Sequence, residues 1–379
     1  MKVLHLFSNY KFTGPADPAL VLAKALDARD GLSVAFAAGR TPAGDRGVAE
    51  LARDRGLTVV EGLELQKHGR PRPWFHDVRQ LRRWLREGVP GFGNVDLIHT
   101  HLPNDHHIAS VAARKTGTPV VRSLYELEPP KGRRARSSFR GTAAFFPPTT
   151  LAAERLVSAL SAAAPPCPVI SPVLDLTRFE GERDVNVRED WGLASDDFIV
   201  GVVARMQRHR RFPELIEGFA RAAKSAPSLH LVILGRGTNQ VEVAHEPAAQ
   251  SGVGDQIHFP GYIDPARYPQ QLRAFDAQLF LVPGSDGTCR AMREAQASGV
   301  PVITSSRGLL PHLLAPEESG LLLSEDSPAA IAEAITRLHG DRALRGRLAD
   351  GARAFARRSF SAEVAAVTVQ ATYEEVVRR

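Results

Sequence analysis

Two carboxylates, Asp286 and Glu294, stand eight positions apart in the stretch 279–304, LFLVPGSDGTCRAMREAQASGVPVIT. The apolar run 279–282 has the length of a buried strand and stops at Pro283-Gly284. Residues 289–298 read as a helix, in which Ala291, Ala295 and Ser298 are small enough to lie close to a sheet. Gly299 suits a left-handed C-cap, and residues 300–303 read as the next parallel strand. The loop therefore sits at the carboxyl end of a strand, where open α/β sheets bind ligands. The N–H groups of Gly287, Thr288 and Cys289 at the helix start form an anion site. Acceptor side chains flanking such a site suit a sugar nucleotide: the amides hold the diphosphate and the carboxylates take hydroxyls at either end. The spacing is also that of a capping loop acid and a solvated helix residue, and by itself does not separate the two readings.

A second group with chemical potential is His99, His101, Asp105, His106 and His107. His99 and His101 fall on one face of a strand, a spacing that suits paired metal ligands. No H-E-x-x-H or cysteine spacing accompanies them, so no metal is expected. Two basic stretches complete the inventory. Residues 204–211, ARMQRHRR, leave an apolar strand, and residues 131–140, KGRRARSSFR, carry five cations with one aromatic near the end. The second reads either as a solvated loop or as a guide for an anionic acceptor or a lipid head group.

The elements that must position these residues alternate. Residues 1–7 are too short for a signal-peptide core and read as a first buried strand. Strands at 32–38, 57–60, 95–99 and 118–126 follow, with helices at 17–26, 48–55 and 74–86. The second half restarts at 198–203, with a helix at 213–225, strands at 229–234 and 257–263, and a last helix at 362–377. Such alternation argues for parallel sheets. A chain of 379 residues suggests two domains of ordinary size, and 43% hydrophobic with 24% charged residues describes a soluble globular protein. Two cysteines, Cys167 and Cys289, exclude a disulfide framework, so a reducing cytoplasm fits. A net charge of +6 allows an anionic partner, but 7% aromatic residues and the lack of a recognisable signature argue against nucleic acid.

The segment SDGTCRAMREAQASGVPVI resembles the E-x7-E region of the retaining GT-B glycosyltransferases of family 4. The likeness covers nearly the whole chain and is strongest over 200–324. It implies that the first acid, here the shorter Asp286, contacts the donor sugar and that Glu294 contacts the ribose. Arg205 matches the first of the family's two diphosphate-binding cations, and Arg210 replaces the second, a Lys. Gly14 stands where the family has Gly-Gly beside the donor phosphate. It is followed by Pro15, which lacks an N–H, and an ordinary βα turn is the other reading. His101 and Asp105 correspond to a D-x-x-H-x-H strand end and are candidates for substrate hydroxyls or proton handling. Tyr125 occupies the place of a donor-contacting His, and His312 that of a common Glu. The backbone of Gly261, Tyr262 and Ile263 would face the nucleobase. Arg133 and Arg134 would meet the acceptor.

The resemblance thus implies an α/β GT-B fold: two Rossmann-like domains with an interdomain cleft. Residues 1–172 would bind acceptor, residues 173–361 would bind donor, and the helix at 362–379 would cross back to the first domain. The activity implied is transfer of a sugar from a nucleoside diphosphate sugar to an acceptor hydroxyl with anomeric retention. Neither cofactor nor divalent metal would be needed. Acceptors would include anionic or lipid-linked ones, at the inner membrane face or in the cytoplasm, in cell-envelope polysaccharide, glycolipid or other glycoconjugate synthesis. The departures at Pro15, Tyr125, Asp286 and His312 leave open a sugar-nucleotide epimerase or phosphorylase on the same fold, or a non-catalytic sugar-nucleotide binder.

Overall fold

The computed structural model describes every residue except 130, 161–163, 183–184, 262–263 and 285–286, and every side chain besides theirs except 134 and 185. It divides into two compact units. One gathers Met1–Leu174, residues 287–288 and Phe360–Arg379; the other gathers Asp175–Ser285 and Cys289–Ser359.

The first unit holds a six-stranded sheet of β1 (Lys2–Phe7), β2 (Ser33–Ala38), β3 (Thr58–Val59), β4 (Leu97–Thr100), β5 (Val120–Ser123) and β6 (Ala144–Phe146). Its order is β3-β2-β1-β4-β5-β6 with every pair parallel. Strands buried on both faces read as continuous apolar runs, as KVLHLF and SVAFAA do. One face packs with the helices Ala16–Asp27 and Ala362–Arg378, through Leu20, Ala23, Val369 and Tyr373. The other packs with Pro71–Glu87 and Pro103–Ala113 through Leu81, Trp84, Ile108 and Ala112. The polypeptide leaves this unit after Leu174 and returns at Phe360, where the Leu174 N–H donates to the Phe360 carbonyl at 2.9 Å.

The second unit repeats the plan with β7 (Phe198–Val203), β8 (Leu229–Leu234), β9 (Ile257–Gly261), β10 (Ala277–Phe280), β11 (Val302–Thr304) and β12 (Gly320–Leu322). The order is β12-β11-β10-β7-β8-β9, all parallel. Both sheets are therefore the doubly wound 3-2-1-4-5-6 arrangement, in which the winding reverses between the first and fourth strands. Loops leaving β1 and β4, and again β7 and β10, open at that reversal, where such sheets bind ligands. β10 begins two residues earlier than the apolar run suggests, because Ala277 and Gln278 already pair with Val200 and Gly201. Residues 281–282 belong to its exit. Among the described residues no helix is long and apolar enough to cross a membrane.

Candidate active site

In the second unit the β7 exit carries Arg205 and Arg210 and the β10 exit leads to the helix Arg290–Ala297. Arg210 joins them: its Nη1 donates to the Val282 carbonyl at 3.0 Å. Arg205 is exposed at the start of the same loop. Gly235, just past β8, has φ +134°, and a Cβ there would lie 2.4 Å from the Ala204 carbonyl oxygen, so only bare backbone lets the two exits lie side by side. Gly235 also donates its N–H to the Gly261 carbonyl at 3.1 Å, which aligns the β8 and β9 exits.

The turn into the helix Arg290–Ala297 is tightly coiled. Gly287 has φ +69°, and Cys289, at the N-cap, is left-handed at φ +46°. A left-handed non-glycine residue costs about 1–2 kcal/mol, a strain that concentrates at functional turns. Thr288 and Cys289 are buried. At the far end Gly299 is left-handed and donates to the Gln296 carbonyl, while Val300 donates to that of Ala295, both at 2.9 Å, ending the helix as the sequence suggests.

Glu294 is not a solvated helix residue. It is buried, and it accepts from the Tyr268 hydroxyl at 2.8 Å and from Arg290 Nε at 2.7 Å. Burial, then the neighbouring Glu294 carboxylate, pushes the Tyr268 phenol well above its usual range, so it remains a donor. A carboxylate offers about four lone-pair sites, so this clamp fixes its orientation and leaves capacity for ligand hydroxyls. Asp286, Tyr262 and Ile263 lie outside the described residues. His312 is exposed on the short turn Leu310–Leu313.

In the first unit the histidine group divides. His106 accepts from Arg122 Nη1 at 2.9 Å and meets the Thr142 hydroxyl at 2.8 Å, while His107 meets the Ser138 hydroxyl at 3.0 Å. His99 and His101 turn to the opposite side of the sheet, with ring centroids 4.6 Å apart and planes within 13°. A third ring joins them: His5 of β1, paired in register with His99. Its Nδ1 is 3.0 Å from His101 Nε2, and His101 Nδ1 is 2.8 Å from the Tyr125 hydroxyl. Ring nitrogens of His5, His99 and His101 come within 4.8 Å of one another. The 3.0 Å separation is nevertheless shorter than the roughly 3.3 Å that two 2.0–2.1 Å zinc bonds at a tetrahedral angle would leave, and suits a hydrogen bond. Burial holds all three rings neutral: His5 falls to about 3, and His99 and His101 lie well below the usual imidazole range, lowered further by their histidine neighbours.

Asp105 is also buried, but its oxygens accept from the backbone N–H groups of Ser8 at 2.7 Å, His101 at 3.1 Å and Leu102 at 2.9 Å. Its role is thus to pin the β1 and β4 exits to each other and start the helix Pro103–Ala113. Burial pushes its carboxyl up to about 7 against those donors. Gly14 sits in the turn just before the helix Ala16–Asp27, whose N-cap is Pro15. Residues 131–140, read from sequence as a loop, contain the helix Arg133–Phe139. Its buried Ser138 and Phe139 dock it, with the Arg122 guanidinium 5.4 Å from the Phe139 ring, while Lys131, Arg133, Arg136 and Arg140 remain exposed. The Arg134 side chain lies outside the described residues. Sequence reasoning missed His5, Ser123, Tyr268 and Tyr373; only the isolated histidine in KVLHLF gave a signal, as a polar residue inside a buried strand.

Two Rossmann-like units of this order define the GT-B class. The Glycosyltransferase Family 4 model matches residues 19–178, and the Glycosyl transferases group 1 model matches residues 185–355. The protein belongs to the GT-B glycosyltransferases of family 4. It is 28% identical over 272 residues to a D-inositol 3-phosphate glycosyltransferase of Mycobacteroides abscessus, a match covering 65% of this chain and 60% of that protein. The chain thus spans about three fifths of the length of such relatives. Its fold is shared with Anabaena Alr3699/HepE, solved with UDP, at TM-score 0.78 and 18% identity over 99% and 100% of the two chains. A glycosyltransferase from Rickettsia africae matches at TM-score 0.81 and 14% identity over 100% and 99%.

Proposed function

We propose that the protein transfers a glycosyl group from a nucleoside diphosphate sugar to an acceptor hydroxyl, with retention at the anomeric carbon. The observation that carries this reading is the buried Glu294, held by Tyr268 and Arg290 on a helix whose N-terminus opens at the winding reversal beside Arg210. That corner supplies a ribose acceptor, the positive N-terminal end of the helix Arg290–Ala297 and cations for a diphosphate. Solved neighbours of the same fold hold UDP and UDP-glucose. The bond from the anomeric carbon to the β-phosphate oxygen breaks as the acceptor oxygen bonds to that carbon. The acceptor proton goes to the departing diphosphate. Arg205 and Arg210 stabilise the charge developing there, a role that needs no divalent metal or cofactor. Asp286 takes the donor sugar, and Gly261, Tyr262 and Ile263 line the base.

His101 and Tyr125 of the first unit serve substrate hydroxyls in this reading. Lys131, Arg133, Arg136 and Arg140 draw an anionic acceptor or lipid head group, in glycoconjugate synthesis at the inner membrane face. An acidic acceptor agrees with the inositol phosphate in the relatives' names. The test is product analysis by proton NMR with a panel of α-linked nucleotide sugars and D-inositol 3-phosphate as first acceptor. An α-linked glycoside is expected, with an acceptor KM that rises with salt. An epimerised donor or a free sugar phosphate would favour the epimerase or phosphorylase reading, and a β-linked product would overturn retention.

A further inference from the structure

Six side chains in the first unit form one unbroken string of hydrogen bonds. Ser123 Oγ is 2.8 Å from His99 Nε2, and His99 Nδ1 meets the Tyr373 hydroxyl. That hydroxyl is 3.4 Å from His5 Nε2. His5 Nδ1 is 3.0 Å from His101 Nε2, and His101 Nδ1 is 2.8 Å from the Tyr125 hydroxyl. All six groups are buried. The string draws on β1, on β4 and the residue after it, on β5 and its exit, and on the helix Ala362–Arg378.

Each ring enters this string by Nε2 and leaves it by Nδ1. A neutral imidazole has one N–H and one bare nitrogen, so each ring can only pass the sense of donation along. There are five links and six protons, one per group, and only two arrangements satisfy every link without stranding the proton of the central Tyr373 hydroxyl. In one, all three rings are Nδ1–H, every bond points toward Tyr125, and the Tyr125 proton is directed out of the string. In the other, all three are Nε2–H, Tyr125 donates inward to His101, and the proton directed outward is that of Ser123. A mixture that changes at Tyr373 either sets both neighbouring N–H groups on its oxygen, which leaves the fully buried hydroxyl proton without an acceptor in the string, or leaves a bare nitrogen undonated. A mixture of His5 and His101 sets two N–H groups or two bare nitrogens against each other, and a dry interior penalises each of these arrangements.

We propose that Ser123, His99, Tyr373 and His5 are positioning residues for Tyr125, and that with His101 they form a two-state string deciding whether Tyr125 offers its hydroxyl proton or only its oxygen beyond β5. The string stands on the geometry alone. Its bearing on catalysis rests on the proposed glycosyl transfer, in which a donating Tyr125 would bind a sugar or phosphate oxygen and an accepting one would orient a hydroxyl.

Removing one terminal oxygen must set the direction of the whole string, because a buried N–H without an acceptor is tolerated less well than a bare nitrogen. Tyr125→Phe should put His5 in the Nε2–H form, and Ser123→Ala should put the same ring in the Nδ1–H form. The preference should be roughly tenfold or more in each case. The readout is long-range proton–nitrogen NMR at pH 7 on protein labelled in its histidines, which distinguishes the two tautomers and the imidazolium without any substrate. Tyr373→Phe should by itself put His5 in the Nδ1–H form whatever residue stands at 123, because Nε2 then has no acceptor, and adding Tyr125→Phe should bring the Nε2–H form back to a comparable share. Each exchange deletes a single oxygen, and the other histidine signals report that the fold persists. The same tautomer or the same mixture at His5 in both end variants would overturn the proposal, as would an imidazolium at any of the three rings. Failure of this test leaves the glycosyl transfer reading untouched, since no nucleotide is involved.

Discussion

Acidification below pH 6.5 is expected to destabilise the protein more steeply than one titrating group would, at a loss above about 1.4 kcal/mol per pH unit. His5, His99, His101 and His106 are fully buried, and burial lowers each below the ordinary value of 6.5, His5 to about 3. A depressed folded value means that the unfolded chain takes the proton first. The stability each group contributes is therefore complete above 6.5 and is lost as pH falls from there toward the folded value. Each proton bound only by the unfolded state changes stability by about 1.4 kcal/mol per pH unit. Asp105 works the other way. Its folded value is raised to about 7, so the folded state holds a proton between there and the ordinary 3.8, which offsets one histidine. The four buried histidines outnumber that offset, so stability falls with pH below 6.5 by more than one proton's worth. For a domain stable by about 5–15 kcal/mol, that brings the transition within reach of mild acid. Urea unfolding monitored by circular dichroism at a series of pH values gives the slope. One proton or fewer would mean that the rings are charged or accessible in the native state.

The second large effect is on catalysis. Arg210→Ala should lower kcat/KM about 10²–10³-fold, chiefly through kcat, because a cation aimed at the leaving diphosphate acts most on the charge that develops in the transition state. Arg205→Ala should fall in the same range. Arg210→Lys should recover part of the loss, since it keeps the charge but not the planar fork that also reaches the Val282 carbonyl. Chelators should leave wild-type turnover intact. Full activity in a folded Arg210→Ala protein would remove the β7 exit from the chemistry, and loss with chelator and rescue by a divalent ion would put a metal in its place.

The fold was largely legible because strands buried on both faces and helices with one apolar side leave distinct patterns. Gly299 and the Pro283-Gly284 exit marked the ends of the unit around Glu294. Where the reading missed, the cause was tertiary. The apolar run 279–282 continues past the last ladder bond, so β10 could be placed only once its partner β7 was known. The helix Arg133–Phe139 is too short for a 3.6-residue period to show, and it is anchored by Phe139 against residues that include Phe145. The spacing alone left Glu294 open between a solvated helix residue and a site residue because its partner Tyr268 lies 26 positions away, and Tyr373 lies 368 positions from His5. No local pattern encodes such pairs. Asp105 could be recognised as special but not as a backbone clamp, since its partner Ser8 comes from a different strand end.

The central claim is that the second unit grips the nucleotide through Glu294, and calorimetric titration of UDP, GDP and ADP into wild type and Glu294→Gln tests it most directly. Gln is the informative exchange because it keeps an oxygen for the Tyr268 hydroxyl, which Ala would leave buried and unpaired. One of the three nucleotides should bind the wild type, and Glu294→Gln should bind it about 10–100-fold more weakly, as expected for charged hydrogen bonds to ribose hydroxyls worth about 1.5–3 kcal/mol. Unchanged affinity in the folded variant, or no binding of any nucleotide by the wild type, would contradict the account.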